Sequence, residues 1–162
     1  MKTLIICISF LCLNIQSLDL NKIRDAYKEA AHDKTKVTEY NNKLDSVTKN
    51  SNIVLVAYKG AGIALKGRYA KKIPVKKKYF IDGVSLLEYA IEKAPNNIEL
   101  RFIRLGIQEN TPKLLKYKSK IEEDKTFIIN NFSTINSKVL RNHIKEYILQ
   151  SNIFKEEEKK LI

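Results

Sequence analysis

The segment Ile53-Val54-Leu55-Val56-Ala57-Tyr58-Lys59-Gly60-Ala61-Gly62-Ile63-Ala64-Leu65-Lys66-Gly67 decides the fold, because it reads two ways. Its first six residues are β-prone, and a strand running into glycines and then a helix would be a phosphate-binding arrangement. The spacing rejects that reading. A dinucleotide fingerprint would place a third glycine at position 65, which is Leu65, and a phosphate loop would carry lysine and then serine or threonine in its six-residue frame. On a helix, Ala57, Gly60, Ala61 and Ala64 fall on one face as a stripe of small residues, which lets a second helix approach closely. The segment is therefore expected to be helical, and the one candidate strand disappears with the nucleotide loop.

Apolar residues recur at helical steps on both sides of it. Leu20, Ile23, Tyr27 and Ala30 mark a first helix. Val37, Tyr40, Leu44 and Val47 mark a second, ended by Asn50-Ser51-Asn52. Phe80, Val84, Leu87, Ile91 and Ala94 form a sustained stripe that Pro95 closes. Ile98, Leu100, Phe102, Ile103, Leu105 and Ile107 belong to the next helix, which stops near Asn110-Thr111-Pro112. Tyr117, Ile121, Ile128 and Phe132 suggest another with a break near Glu122-Glu123-Asp124. Leu140, Ile144, Tyr147 and Ile148 define a last one. About six helices without strands to pair predict an all-α chain, an α-α hairpin array or an irregular helical bundle.

The run from Phe80 to Phe102 resembles the second helix of a tetratricopeptide repeat passing into the first helix of the next. Gly83 stands at that family's small position, Leu87 at its bulky one, and Ala90 and Pro95 follow at its spacing. The likeness spans about residues 57 to 110. Ala57 to Tyr69 would be the partner helix, joined through Lys71 to Lys78 by a connection longer than the family's tight turn. In the following helix Arg101 and Arg104 replace the family's large aromatic and its leucine. The resemblance implies a scaffold that takes up partner peptides on exposed strips of its first helices, and it implies no activity. As a whole the chain also resembles small exported helical proteins of bacteria.

Residues 1–17, Met1-Lys2 followed by an apolar run of about ten residues and ending at Gln16-Ser17, have the form of a secretory signal peptide. The run is shorter than the roughly 20 residues a membrane span needs. Neither Leu4-Ile5-Ile6 before Cys7 nor Ser9-Phe10-Leu11 before Cys12 has the small residues of a lipoprotein site. Cleavage is expected near Ser17, giving an exported product, periplasmic or secreted, with no transmembrane helix. The expected organisation is a signal peptide over 1–17, one helical domain over 18–154 and a charged tail over 155–162. Cleavage would remove both cysteines, so stability in an oxidising compartment would come from packing without disulfides. With 30 Lys and Arg against 18 acids, the net charge of +12 favours acidic partners.

Chemistry-bearing motifs are scarce. His32 sits at a predicted helix end, where it meets the negative end of the helix dipole, and His143 lies between Leu140 and Tyr147 on a packing stripe. The chain has no GxSxG, HExxH, CxxC or EF-hand loop, so no catalytic site, metal or cofactor is expected. A hidden enzyme would need a pocket around His143 or His32 with convergent carboxylates. Glu122-Glu123-Asp124 reads as a solvated face, because adjacent helix positions diverge.

Basic residues carry the remaining signal. Lys66, Arg68, Lys71, Lys72, Lys76, Lys77 and Lys78 have no acid among them, and they read as a solubilising loop or as a patch for acidic or anionic surfaces. Nucleic acid is disfavoured, since no recognition motif is present. A membrane-lying helix is disfavoured as well, since no broad apolar face backs the lysines. In PNNIELRFIRL, Pro95 to Leu105, the arginines fall on a strip: measured from Ile98, Arg101, Arg104 and Gln108 lie at about 300, 240 and 280 degrees, opposite the apolar arc. A helix so apolar is expected to pack on more than one side and to leave this strip exposed. The sequence thus points to an exported, non-catalytic module that binds or scaffolds a protein or peptide with acidic segments at the cell envelope. Arg101, Arg104, Gln108, Lys71, Lys72, Lys76, Lys77 and Lys78 are its candidate partner-binding residues. The alternatives are an electrostatic binder of anionic lipid or polysaccharide, and a small enzyme with an unrecognised site.

Overall fold

Side-chain caps set several of the helix starts in the computed structural model, which describes residues 18–162. The expected signal peptide and its cleavage point lie outside the described residues. Asp19 accepts the Asn21 N–H at 2.9 Å and opens α1, Leu20–His32. After a short α2, Val37–Lys43, Asn52 accepts the Val54 N–H at 2.9 Å and opens α3, Ile53–Tyr69, so the β-prone segment is helical. Asn97 caps α5, Ile98–Asn110, and Ser137 caps α7, Lys138–Gln150. Each cap gives a partner to an amide that the helix itself leaves unbonded. Between them lie α4, Ile73–Lys93, and α6, Ile121–Asn131, and α8, Glu156–Lys159, follows α7. The fold is all-α, with no strand among the described residues and no helix there long and apolar enough to cross a membrane.

Three local expectations are corrected. The long lysine-rich connection before Lys78 shrinks to residues 70–72, and Lys76, Lys77 and Lys78 lie in the opening turns of α4. Pro74 permits this because a helix needs no proline N–H in its first turn. The break expected at Glu122-Glu123-Asp124 is absent, because three carboxylates in the first turn of α6 meet the positive end of its dipole. The second helix is short, and Leu44 and Val47 are buried in the turns that follow it.

The small stripe of α3 meets α4 as its spacing predicts. A Cβ built on Gly83 would stand 2.5 Å from the Gly60 carbonyl oxygen and 2.6 Å from the Ala64 amide nitrogen, so the two backbones touch. Gly83→Ala therefore sets a helix-propensity gain of about 1 kcal/mol against backbone overlap that no rotamer relieves. The overlap wins, and we expect a net loss of about 2 kcal/mol, read as a fall in melting temperature of about 4–8 °C by circular dichroism.

Two apolar cores share α5. Leu100 and Ile103 close one with Ile23, Tyr40, Tyr58 and Leu87, and Leu105 closes the other with Ile128, Ile144 and Ile148. Helix α5 is thus packed on more than one side, as expected. Phe154 is buried in the second core, and Glu158 of α8 lies 3.2 Å from the Lys125 ammonium.

Candidate functional site

The polar strip of α5 points inward, and this overturns the expected exposure. Arg104 and Gln108 are buried, and Arg101 is half-buried. All three donate to Asp124 of α6, which is 0% exposed. Arg104 reaches it through Nε at 2.7 Å and Nη2 at 2.6 Å, Gln108 at 2.9 Å and Arg101 at 3.1 Å. Asp124 is therefore not part of a solvated face. Burial works against the Arg104 charge, but the bonds to Asp124 and Glu88 outweigh it and raise the Arg104 pKa. Glu123 remains exposed, and its hydrogen bonds from Lys120 and Arg101 bring its pKa down to about 2. Gln108 also accepts the Lys120 N–H at 3.0 Å, tying α5 to the start of α6.

A second buried pair joins α1 to α5. Arg24 donates to both carboxylate oxygens of Glu99 at 2.7 Å, and the Tyr58 hydroxyl adds a bond at 2.9 Å. Sequence reasoning missed Arg24, Glu99 and Asp124, since pairing across 20 to 75 residues leaves no local pattern.

What the fold leaves open is a cleft of about 900 Å³ between α1, α3, α4, α5 and α7. That volume sits at the upper end of small-molecule sites. Its walls are mostly apolar: Tyr27, Tyr58, Ala61, Ala64, Leu65, Phe80, Phe102, Ile103, Ile107 and Tyr147. Burial pushes the Tyr27 hydroxyl up to about 12, with Arg68 acting against the rise. Arg68, Lys76 and Lys77 add positive charge from the end of α3 and the start of α4. Among the described residues neither Lys76 nor Lys77 forms an ion pair, whereas Lys78 pairs with Asp82 at 2.5 Å. Lys71 and Lys72 are exposed beside them. The lysine cluster and the arginine strip are thus separate features, one open and one closed.

Both histidines also line the cleft. His143 Nε2 lies 3.0 Å from an Asp25 carboxylate oxygen, and Glu146 is held by Lys28 at 2.5 Å, so α1 and α7 are linked there by a histidine–carboxylate contact and an ion pair. Among the described residues no group of histidine, cysteine and acid side chains could hold a metal ion. Gly106 of α5 faces the cleft, and a Cβ there would meet nothing within 4 Å. The other four glycines are each pressed against backbone or an aromatic ring. No family model, curated protein or solved structure matches the chain.

Proposed function

We propose that the chain is a non-catalytic helical binding protein whose cleft takes an amphiphile with one apolar tail and an anionic head group. Gly106 carries the reading. A glycine inside a helix costs about 1 kcal/mol relative to alanine, and the one glycine with no packing neighbour opens onto the cleft. The tail would lie against Ala64, Phe102 and Ile103, and the head group would meet Arg68, Lys76 and Lys77. The tetratricopeptide likeness would enter only as scaffold, since residues of α3, α4 and α5 line the cleft. With a leader peptide, the protein would act in the periplasm or outside the cell. An acidic peptide on the α5 strip is the weaker reading, because Arg104 and Gln108 already bond to Asp124.

One observation favours an enzyme, the His143–Asp25 pair beside the cleft. The Thr111 hydroxyl, the aliphatic hydroxyl among the cleft residues, donates to the Ile107 carbonyl, so it is not presented for attack. Binding without turnover is the better account.

Displacement of a fluorescent apolar dye by saturated carboxylates of increasing length tests it. Each two added methylenes should tighten binding about tenfold until the cleft is filled, and Arg68→Ala should weaken it about tenfold. His143→Gln should leave affinity unchanged and no product formed. Affinity independent of chain length would overturn the proposal, and primary alcohols binding as tightly as carboxylates would remove its head-group assignment.

A further inference from the structure

The two most exposed large apolar side chains among the described residues are Ile73, at 79%, and Leu114, at 88%. They come from different elements, the first residue of α4 and the 3₁₀ turn Lys113–Leu115, yet both line the same cleft. Exposed lysines surround them: Lys71, Lys72, Lys76 and Lys77 beside Ile73, and Lys113 and Lys116 beside Leu114. Taking 100 degrees per residue, Lys76 and Lys77 fall about 60 and 40 degrees to either side of Ile73, whereas Lys78, with its own partner Asp82, falls about 140 degrees away. Residues 66–81 and 111–121 contain no acid at all.

We propose that this lip is a docking surface for an anionic lipid bilayer, with Ile73 and Leu114 entering the acyl boundary and the flanking lysines meeting lipid head groups. The chemistry argues for a bilayer over an acidic protein. Two apolar tips that stand out from a cationic rim fit a soft apolar layer beneath negative charge, whereas a folded partner would need a hollow to receive each of them. The sequence spoke against a membrane-lying helix because no apolar face backs the lysines. The fold supplies the missing apolar group from a distant turn, so the surface belongs to two elements and not to one helix. The inference goes beyond the proposed cleft ligand and stands on its own observation, although a lip of this kind would let a tail pass between bilayer and cleft.

The chain from Leu18 onward, the expected product of cleavage near Ser17, suits the test, because without the apolar run of residues 1–17 vesicle binding reports on the lip alone. Co-sedimentation with vesicles of phosphatidylcholine and phosphatidylglycerol should retain the protein, and vesicles of phosphatidylcholine alone should retain far less. Ile73→Ser with Leu114→Ser should lower partitioning about tenfold, and Lys76→Ala with Lys77→Ala should lower it by at least as much. The sequence holds no tryptophan, so the emission of Leu114→Trp reports directly on insertion: it should shift to the blue and be quenched by bromine-labelled acyl chains. Partitioning that survives the serine pair but not the alanine pair would overturn the proposal and leave a purely electrostatic surface, as for a soluble polyanion. So would an unshifted tryptophan. Docking retained when the cleft is blocked would keep this inference even if the amphiphile reading failed, and tight binding of soluble carboxylates without docking would do the reverse.

Discussion

Replacing Asp124 with alanine should cost about 3–5 kcal/mol of folding stability, the largest single-residue loss we expect in the chain. The carboxylate is 0% exposed and accepts from Arg104 twice, from Gln108 and from Arg101. Removing it strands the Arg104 guanidinium, only 4% exposed, with a single remaining close carboxylate bond, to Glu88. A buried pair contributes little net stability beside a well-packed apolar one, so the loss measures an uncompensated charge and not the worth of the pair. The double variant Arg104→Met with Asp124→Leu should therefore be more stable than Asp124→Ala, with a coupling of about 2 kcal/mol in a double-mutant cycle by urea unfolding. A double variant as unstable as the sum of its parts would show that Arg104 and Asp124 act independently.

The same network shows where the sequence stopped being legible. Spacing placed Arg101, Arg104 and Gln108 on one strip of α5, and the three residues do share a face. A helical period says which residues share a face, but not what covers it. An apolar stripe announces that something is expected to cover it, because leaving it wet is costly, whereas a polar strip is equally content in water or against a carboxylate. The cover here is Asp124, twenty residues on from Arg104, inside a triplet of acids that reads as surface. The α3–α4 contact was legible for the opposite reason: small residues at Ala57, Gly60, Ala61 and Ala64 have no use on a solvated face, and Gly83 meets Gly60 and Ala64 of that stripe. The cleft had one faint sequence mark. On α5, Phe102, Gly106, Ile107 and Asn110 lie at about 40, 80, 180 and 120 degrees from Ile98, opposite the strip that Asp124 covers, and Gly106 is the odd residue among them.

Gly106→Trp should separate stability from binding. In most helices a glycine-to-tryptophan change in a packed region would overfill the core and cost stability. Here the added Cβ meets nothing within 4 Å, tryptophan is a better helix former than glycine by roughly 0.5 kcal/mol, and its ring would lie on apolar walls that are otherwise wet. Melting temperature should hold or rise by a few degrees. The indole would occupy the space proposed for the tail, so carboxylate binding should fall at least about a hundredfold, a loss of roughly 3 kcal/mol. Gly106→Ala is the control: it keeps the helix gain of up to about 1 kcal/mol, fills almost none of the roughly 900 Å³, and should bind nearly as well as the parent chain. If the tryptophan variant were markedly unstable, the cleft would not be open in solution. If it were stable and bound carboxylates normally, the ligand would lie elsewhere and the glycine would have no part in it. A stable variant that no longer binds would mean that the chain carries a helix-weakening residue at position 106 because the cavity in front of it is used.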